Sequence, residues 1–381
     1  MSNNTKVIAF HLPQYHAIPE NDKWWGPGFT EWTNVKKAKK YYKDQEQPRV
    51  PLNHNYYDLL DINNLKWQSD LAKQYGIYGF CFYHYWFNGH MLLEKPVELF
   101  RDLESDDKCN YCICWANEDW TRAWADKRDE TLIQQKYGNE EEWKSHFEYL
   151  LSFFKDEKYI LENGKPVLVI YRPELIFDLE KMLLYWNQLA KENGFEGMCF
   201  MYQQYSYLKE HGKEEELFDY NIEYQPSYAL NQMYVDTQKA SLKGKVYSNL
   251  PKVIQSFVSN TKRFFLKKAN ALVYDYDAVW EHIISVSPSS EKAIPGAFVD
   301  YDNSPRRREK CTYFKGVDVG KFKKYFKKQV MNSKENYNND YLFVFAWNEW
   351  GESAYLEPDE KNQYAYLEAI KEALAGEKQD E

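Results

Sequence analysis

Short runs of β-branched, aromatic and aliphatic residues recur at 7–10, 79–83, 111–115, 167–171, 198–202, 220–224, 296–299 and 342–347. Each predicts a β-strand. Between them, apolar positions at helical spacing predict helices over 64–75, 95–103, 140–154, 179–193, 277–285 and 317–330, with a last one near 363–375. In the first helix Leu65, Leu71, Ala72 and Tyr75 share a face, and Gly76 follows as the residue that ends it. Eight strands alternating with helices predict an α/β fold, a (β/α)8 TIM-type barrel. An open doubly wound sheet is the alternative, but no strand leads into a glycine-rich phosphate loop. Long loops are expected after strands 1 and 6, the second an excursion over about 226–292. No linker composition or internal repeat interrupts the chain, so 1–381 reads as a single barrel domain.

Aromatic residues make up 18% of the chain, with 33 Tyr, 13 Trp and 22 Phe. Rings with a flat apolar face and a polar edge suit both core packing and the C–H faces of sugars, so composition tilts the reading towards carbohydrate. The mean hydropathy of -0.77 is low because the scale scores Tyr and Trp as mildly hydrophilic. A net charge of -9 disfavours nucleic acid as a partner. No apolar stretch approaches the ~18 residues of a membrane span, and no signal peptide is read, so a cytoplasmic protein is expected. Cys81, Cys109, Cys112, Cys114, Cys199 and Cys311 lack paired zinc-ligand spacing and are read as reduced thiols. Neither a metal nor a cofactor is expected.

A barrel of this kind builds its site at the C-terminal strand ends. All eight ends here are polar and aromatic together. In chain order they carry His11, Gln14 and Tyr15; Tyr83 and His84; Trp115, Asn117 and Glu118; Tyr171 and Arg172; Tyr202; Glu223; Asp302; and Trp347-Asn348-Glu349-Trp350-Gly351-Glu352. Glycoside chemistry needs one carboxyl group that donates a proton and another that attacks or accepts one. Glu349 and Glu352, three apart at a strand end, are the candidate pair, with Trp347 and Trp350 to shield them and stack on sugar. Two other roles stay open: Glu352 as a helix N-terminal residue, and Glu349 paired with Arg122 or Arg172. His11 and His84 are candidates for hydroxyl binding, and Asp302 for a diol. Arg306 can meet an anionic substrate group, whereas Arg307 and Arg308 read as surface charge.

The segments Ala9–His16, Trp24-Trp25-Gly26, Gly28–Val35, Tyr75–Phe80, Trp115–Arg122, Asp302–Arg306 and Trp347–Glu352 through Pro358 resemble the WbsX family of polysaccharide-biosynthesis proteins, also described as glycoside hydrolase family 99-like. The match runs in order over almost the whole chain, with Asp119 where the family commonly has Asn and Ser353 where it usually has Gly. The resemblance implies kinship with endo-α-mannosidases of family 99. Those are (β/α)8 enzymes in which one glutamate deprotonates the sugar 2-hydroxyl to close a 1,2-anhydro intermediate, and a second acts as acid and then base. By position Glu349 would be the base and Glu352 the acid/base. His11, Tyr83, Trp115, Asn117, Glu118, Tyr202, Glu223 and Asp302 would be sugar contacts, joined by Gln14, Tyr15, Trp32, His84, Arg306, Trp347, Asn348 and Trp350 as binding candidates. The expected partner is an oligo- or polysaccharide. Three readings compete: a retaining hydrolase or transglycosidase, a glycosyltransferase of surface-polysaccharide assembly, and a non-catalytic glycan-binding protein. The first is preferred because no nucleotide-sugar signature is found.

Overall fold

The computed structural model describes residues 5–121, 130–205, 214–240 and 271–376, with side chains at all of these except 214, 215 and 235–240. Among the described residues, eight parallel staves close into a ring: β1 Lys6–His11, β2 Gly79–Phe87, β3 Asn110–Trp115, β4 Lys165–Ile170, β5 Cys199–Gln204, β6 Tyr220–Glu223, β7 Ala293–Ile294 with Gly296–Phe298, and β8 Tyr341–Phe345. Each is hydrogen bonded in parallel to its neighbours, and β1 returns to β8 with Ile8 opposite Phe343.

Pro295 splits β7. A proline has no N–H to give the ladder, which is why the sequence pattern shows only the second piece as a strand. The first piece pairs with β6 and the second with β8, and the Pro295 carbonyl still accepts the Phe343 N–H at 3.1 Å. The ring closes across the proline.

The helices pack outside this ring, and local chemistry sets their ends. Helix Ile62–Gln74 stops in a Schellman turn, with Ile77 N–H donating to Ala72 O (2.9 Å), Gly76 N–H to Lys73 O (3.3 Å), and Gly76 at φ +80°. Helix Glu140–Phe154 opens on a capping box between Asn139 and Glu142. The long loop after β1 carries two short helices, Pro19–Trp25 and Glu31–Lys37. The excursion after β6 has structure of its own: helix Ser227–Ala240, strand Leu272–Asp275 paired with Thr312–Lys315, and helix Tyr276–Ser285. Its residues 241–270, like Arg122 in 122–129, lie outside the described residues. All six cysteines are buried and unpaired. Among the described residues, no helix is long and apolar enough to cross a membrane.

Candidate active site

The end of β8 is locked to the end of β1. Asn348 accepts the Leu12 N–H on Oδ1 at 2.7 Å and donates from Nδ2 to the Leu12 carbonyl at 3.0 Å. Tyr15 donates its hydroxyl to the Asn348 carbonyl and accepts the Trp350 N–H at 3.2 Å. Behind them Trp350 stacks on Tyr355 and donates its indole N–H to Glu357 at 2.6 Å. Glu357 also accepts from Tyr57 (2.9 Å) and Gln68 (2.7 Å), and burial pushes its carboxyl up to about 7. From this anchored base Glu349 leads into one 3-10 turn, Trp350–Glu352, of which Glu352 is the last residue, and both glutamates reach the same side. Ser353 ends the turn at φ +55°, the left-handed region that favours glycine.

The side they reach is a cavity of about 260 Å³, lined by Leu12, Tyr83, Tyr85, Ala116, Glu118, Asp119, Trp120, Thr121, Tyr171, Tyr224, Arg306, Phe345, Glu349 and Glu352. Both glutamates touch Arg306, not Arg172, which pairs with Glu118 and Glu174. Arg306 Nη2 lies 3.1 Å from each oxygen of Glu349, Nη1 lies 2.9 Å from Glu352, and Nε donates to Glu31 at 2.9 Å. One buried guanidinium thus faces three carboxylates. Burial is the largest influence on Glu349 and raises its pKa. Arg306 lowers it, Glu352 and Glu31 raise it, and the balance stands at about 8. Glu118 also lines the cavity; its side chain is half exposed, and its pKa is raised by partial desolvation against the pull of Arg172.

Tyr83 lines the cavity with its hydroxyl 3.2 Å from that of Tyr224. Several other candidates sit one residue out of phase with the cavity-lining face. His11 points into the helix layer, 3.0 Å from Gln68, while Leu12 lines the cavity. His84 meets His146 of helix Glu140–Phe154 at 3.0 Å, between Tyr83 and Tyr85, which face inward. Trp115 packs outward on His146 and Trp186, beside the cavity-lining Ala116. Tyr202 packs on Phe218, whereas Gln203 reaches inward to Tyr83 at 3.3 Å. Glu223 accepts from Tyr337 and Ser289, beside the inward Tyr224.

The remaining candidates hold the site from behind. Asn117 ties β3 to β4 through the Arg172 backbone. Trp32 donates to Tyr57 O at 2.8 Å, Trp347 packs on Phe80, and Gln14 gives its carbonyl to the Glu31 N–H. Asp302 is held by Gln45 and Gln47 and opens the turn of Arg306 by accepting the Ser304 N–H at 2.9 Å. Arg306 meets protein carboxylates where the sequence suggested an anionic substrate. The sequence places Tyr171 at a strand end without a role of its own, and gives no site role to Tyr85, Trp120, Tyr224 or Glu31. Tyr85 was signalled by its spacing of two from Tyr83 on one strand; for Glu31 there was no local signal. Among the described residues, no group of three or more His, Cys, Asp or Glu side chains is arranged to hold a metal ion.

Two curated relatives from strains of Xanthomonas campestris pv. campestris, both described as uncharacterized protein WxcX, are 30% identical over 370 residues, 97% of this chain and 49% of theirs. The chain spans about half the length of the curated relatives it matches. Among solved structures, the GH99 endo-alpha-mannosidase from Bacteroides thetaiotaomicron superposes with a TM-score of 0.57 at 11% identity, covering 100% of this chain and 98% of that one. A glycoside hydrolase-like protein superposes with a TM-score of 0.54 at 11% identity, covering 97% and 94%. At such identities the likeness is one of fold, and it is the barrel fold. The family described as Glycosyltransferase WbsX matches residues 7–370, and the chain belongs to that family.

Proposed function

We propose that the protein is a retaining glycoside hydrolase or transglycosidase that acts on a surface or capsular polysaccharide through Glu349 and Glu352. The observation that carries this reading is the pair itself: two carboxylates on one wall of a ring-lined cavity, made unequal by their surroundings. In the chemistry of the family 99 type, Glu349 takes the proton of the sugar 2-hydroxyl and O2 closes on C1. The bond from C1 to the leaving oxygen breaks as Glu352 gives that oxygen a proton. Water, deprotonated by Glu352, then opens the 1,2-anhydro ring at C1, and Glu349 returns its proton to O2. A second sugar hydroxyl in place of water gives transfer. A base with a proton affinity near the working pH is an efficient one, which suits the upward shift of Glu349. The aromatic residues Tyr85, Trp120, Tyr171 and Tyr224 offer faces for sugar rings. Buried, unpaired cysteines fit a cytoplasmic site of action.

The family's description supports a second reading, transfer from a nucleotide sugar or a lipid-linked glycan. Against a diphosphate donor stands the charge of the described lining, which has Glu118, Asp119, Glu349 and Glu352 with Arg306 already facing three carboxylates. Incubation with a panel of α-linked oligosaccharides, read by mass spectrometry with and without nucleotide sugars, separates the two. Cleavage or transfer without a nucleotide is expected. A strict nucleotide-sugar requirement would eliminate the first reading, and full turnover by Glu349→Gln would eliminate both.

A further inference from the structure

Three stretches far apart in sequence meet at one guanidinium. Glu31 opens the helix Glu31–Lys37, with its N–H on the Gln14 carbonyl and its neighbour Trp32 pinned to Tyr57. Arg306 lies on the turn that Asp302 opens. Glu349 and Glu352 come from the turn after β8. Glu31 has a side chain 0% exposed, and it holds Arg306 on Nε, the edge turned away from the pair. The bare face of Gly351 makes the approach possible, because a Cβ there would stand 1.7 Å from Glu31 Oε1. Glu31 does not line the cavity, so its carboxylate is not a substrate contact.

Resting on the catalytic reading of the pair, we propose that Glu31 is a positioning residue for the reaction. By holding the Nε edge of Arg306 it fixes the guanidinium so that one remaining nitrogen meets both oxygens of Glu349 and the other meets a single oxygen of Glu352, which makes the two glutamates unequal. The asymmetry has a physical basis in the charge count. Three carboxylates, two of them buried and Glu352 partly exposed, share one cation, so the cluster favours holding a proton, and the carboxylate deepest in the protein sets how much of the cation the others receive. The other titratable groups facing Glu349 are the phenols of Tyr85 and Tyr15, with Glu118 across the cavity.

The test is an NMR titration of isotope-labelled glutamate carboxyls from about pH 5 to about pH 9, in which the Glu349 resonance is identified by its loss in Glu349→Gln. In Glu31→Gln one negative charge is gone and Arg306 is shared by fewer anions. The Glu349 midpoint is expected to move to lower pH by on the order of one unit, and the pH profile of turnover to move with it. In Glu31→Asp the charge is kept, so the midpoint is expected to stay near that of the wild type. A residue with a merely structural role would lower Tm in Glu31→Gln and leave the midpoint in place, and that result would overturn the proposal. If Glu31→Gln does not fold, Arg306→Lys reads the same device. An ammonium cannot face three carboxylates in this geometry, so the midpoint is expected to rise, and an unmoved midpoint overturns the proposal there too. Retained turnover in Glu349→Gln, a separate measurement, overturns the catalytic reading instead.

Discussion

Gly351 lies between the two glutamates of the turn, and replacing it by alanine is a small perturbation with a large expected effect. The added methyl would stand 1.7 Å from Glu31 Oε1, 2.7 Å from Arg306 Nε and 2.8 Å from Glu31 Cδ. Contacts under 3.0 Å do not occur at real Cβ atoms, so the Glu31 carboxylate has to retreat. It has little room to do so, since Glu31 is fully buried. Overpacking of this kind costs about 1–3 kcal/mol, enough to lower Tm without preventing folding. Arg306 must follow Glu31, and its contacts of 3.1 Å and 2.9 Å carry the displacement to Glu349 and Glu352. A misplacement of roughly 1 Å at reacting groups costs about 10²-fold in rate. Gly351→Ala is therefore expected to fold, to melt at a lower temperature by circular dichroism, and to lose about 10²-fold in kcat. The double variant Gly351→Ala/Glu31→Ala removes the obstructed carboxylate and is expected to be no slower than Glu31→Ala alone. A folded Gly351→Ala with full turnover would refute the contact as a functional one, and so would losses that simply add in the double variant.

Glu349→Gln and Glu352→Gln are each expected to lose about 10²–10⁴-fold in kcat with Tm little changed, and retained turnover in either removes that residue from the chemistry. The pH profile assigns the role of Glu349: its pKa is raised to about 8, so as a base it works only when ionised, and kcat/KM is expected to rise with pH up to about 8. A profile that falls through that value would make Glu349 the acid instead. Tyr85→Ala is expected to raise KM about 2–10-fold through loss of a ring face for sugar, and an unchanged KM would place the glycan elsewhere. His84 is depressed to about 3 by burial and His146 is lowered well below its ordinary value by burial and by His84, so their stabilisation is complete above about 6.5 and is lost as pH falls towards 3. The double variant His84→Leu/His146→Leu is expected to lose less Tm than the wild type between those limits; parallel losses would show that the pair is not the source.

What the sequence withheld, it withheld for two physical reasons. Strand positions were legible because apolar runs between helices mark them, and even Gly76 was readable as a helix end from its neighbours alone. The phase of each strand was not. Near-continuous apolar runs carry no alternation to show which face is inward, and a shift of one residue turns every side chain over. His84 and Trp115 were chosen for their chemistry and lie in the helix layer, while Tyr83, Tyr85 and Ala116 face the cavity. The ion cluster was hidden for a different reason: Glu31 and Arg306 stand 275 positions apart, and contact at that separation leaves no local trace. Yet a weaker inference was within reach. A strand end that buries several carboxylates must bring a cation to them, because unpaired buried charge is expensive. The run Arg306-Arg307-Arg308 offered three, and proline placed before the first makes the turn that carries it inward. Arg306 is enclosed by carboxylates, while Arg307 is half-buried and Arg308 is exposed. The need for a buried cation followed from the glutamates; which arginine met that need depended on a turn that Asp302 holds and Gly351 leaves room for.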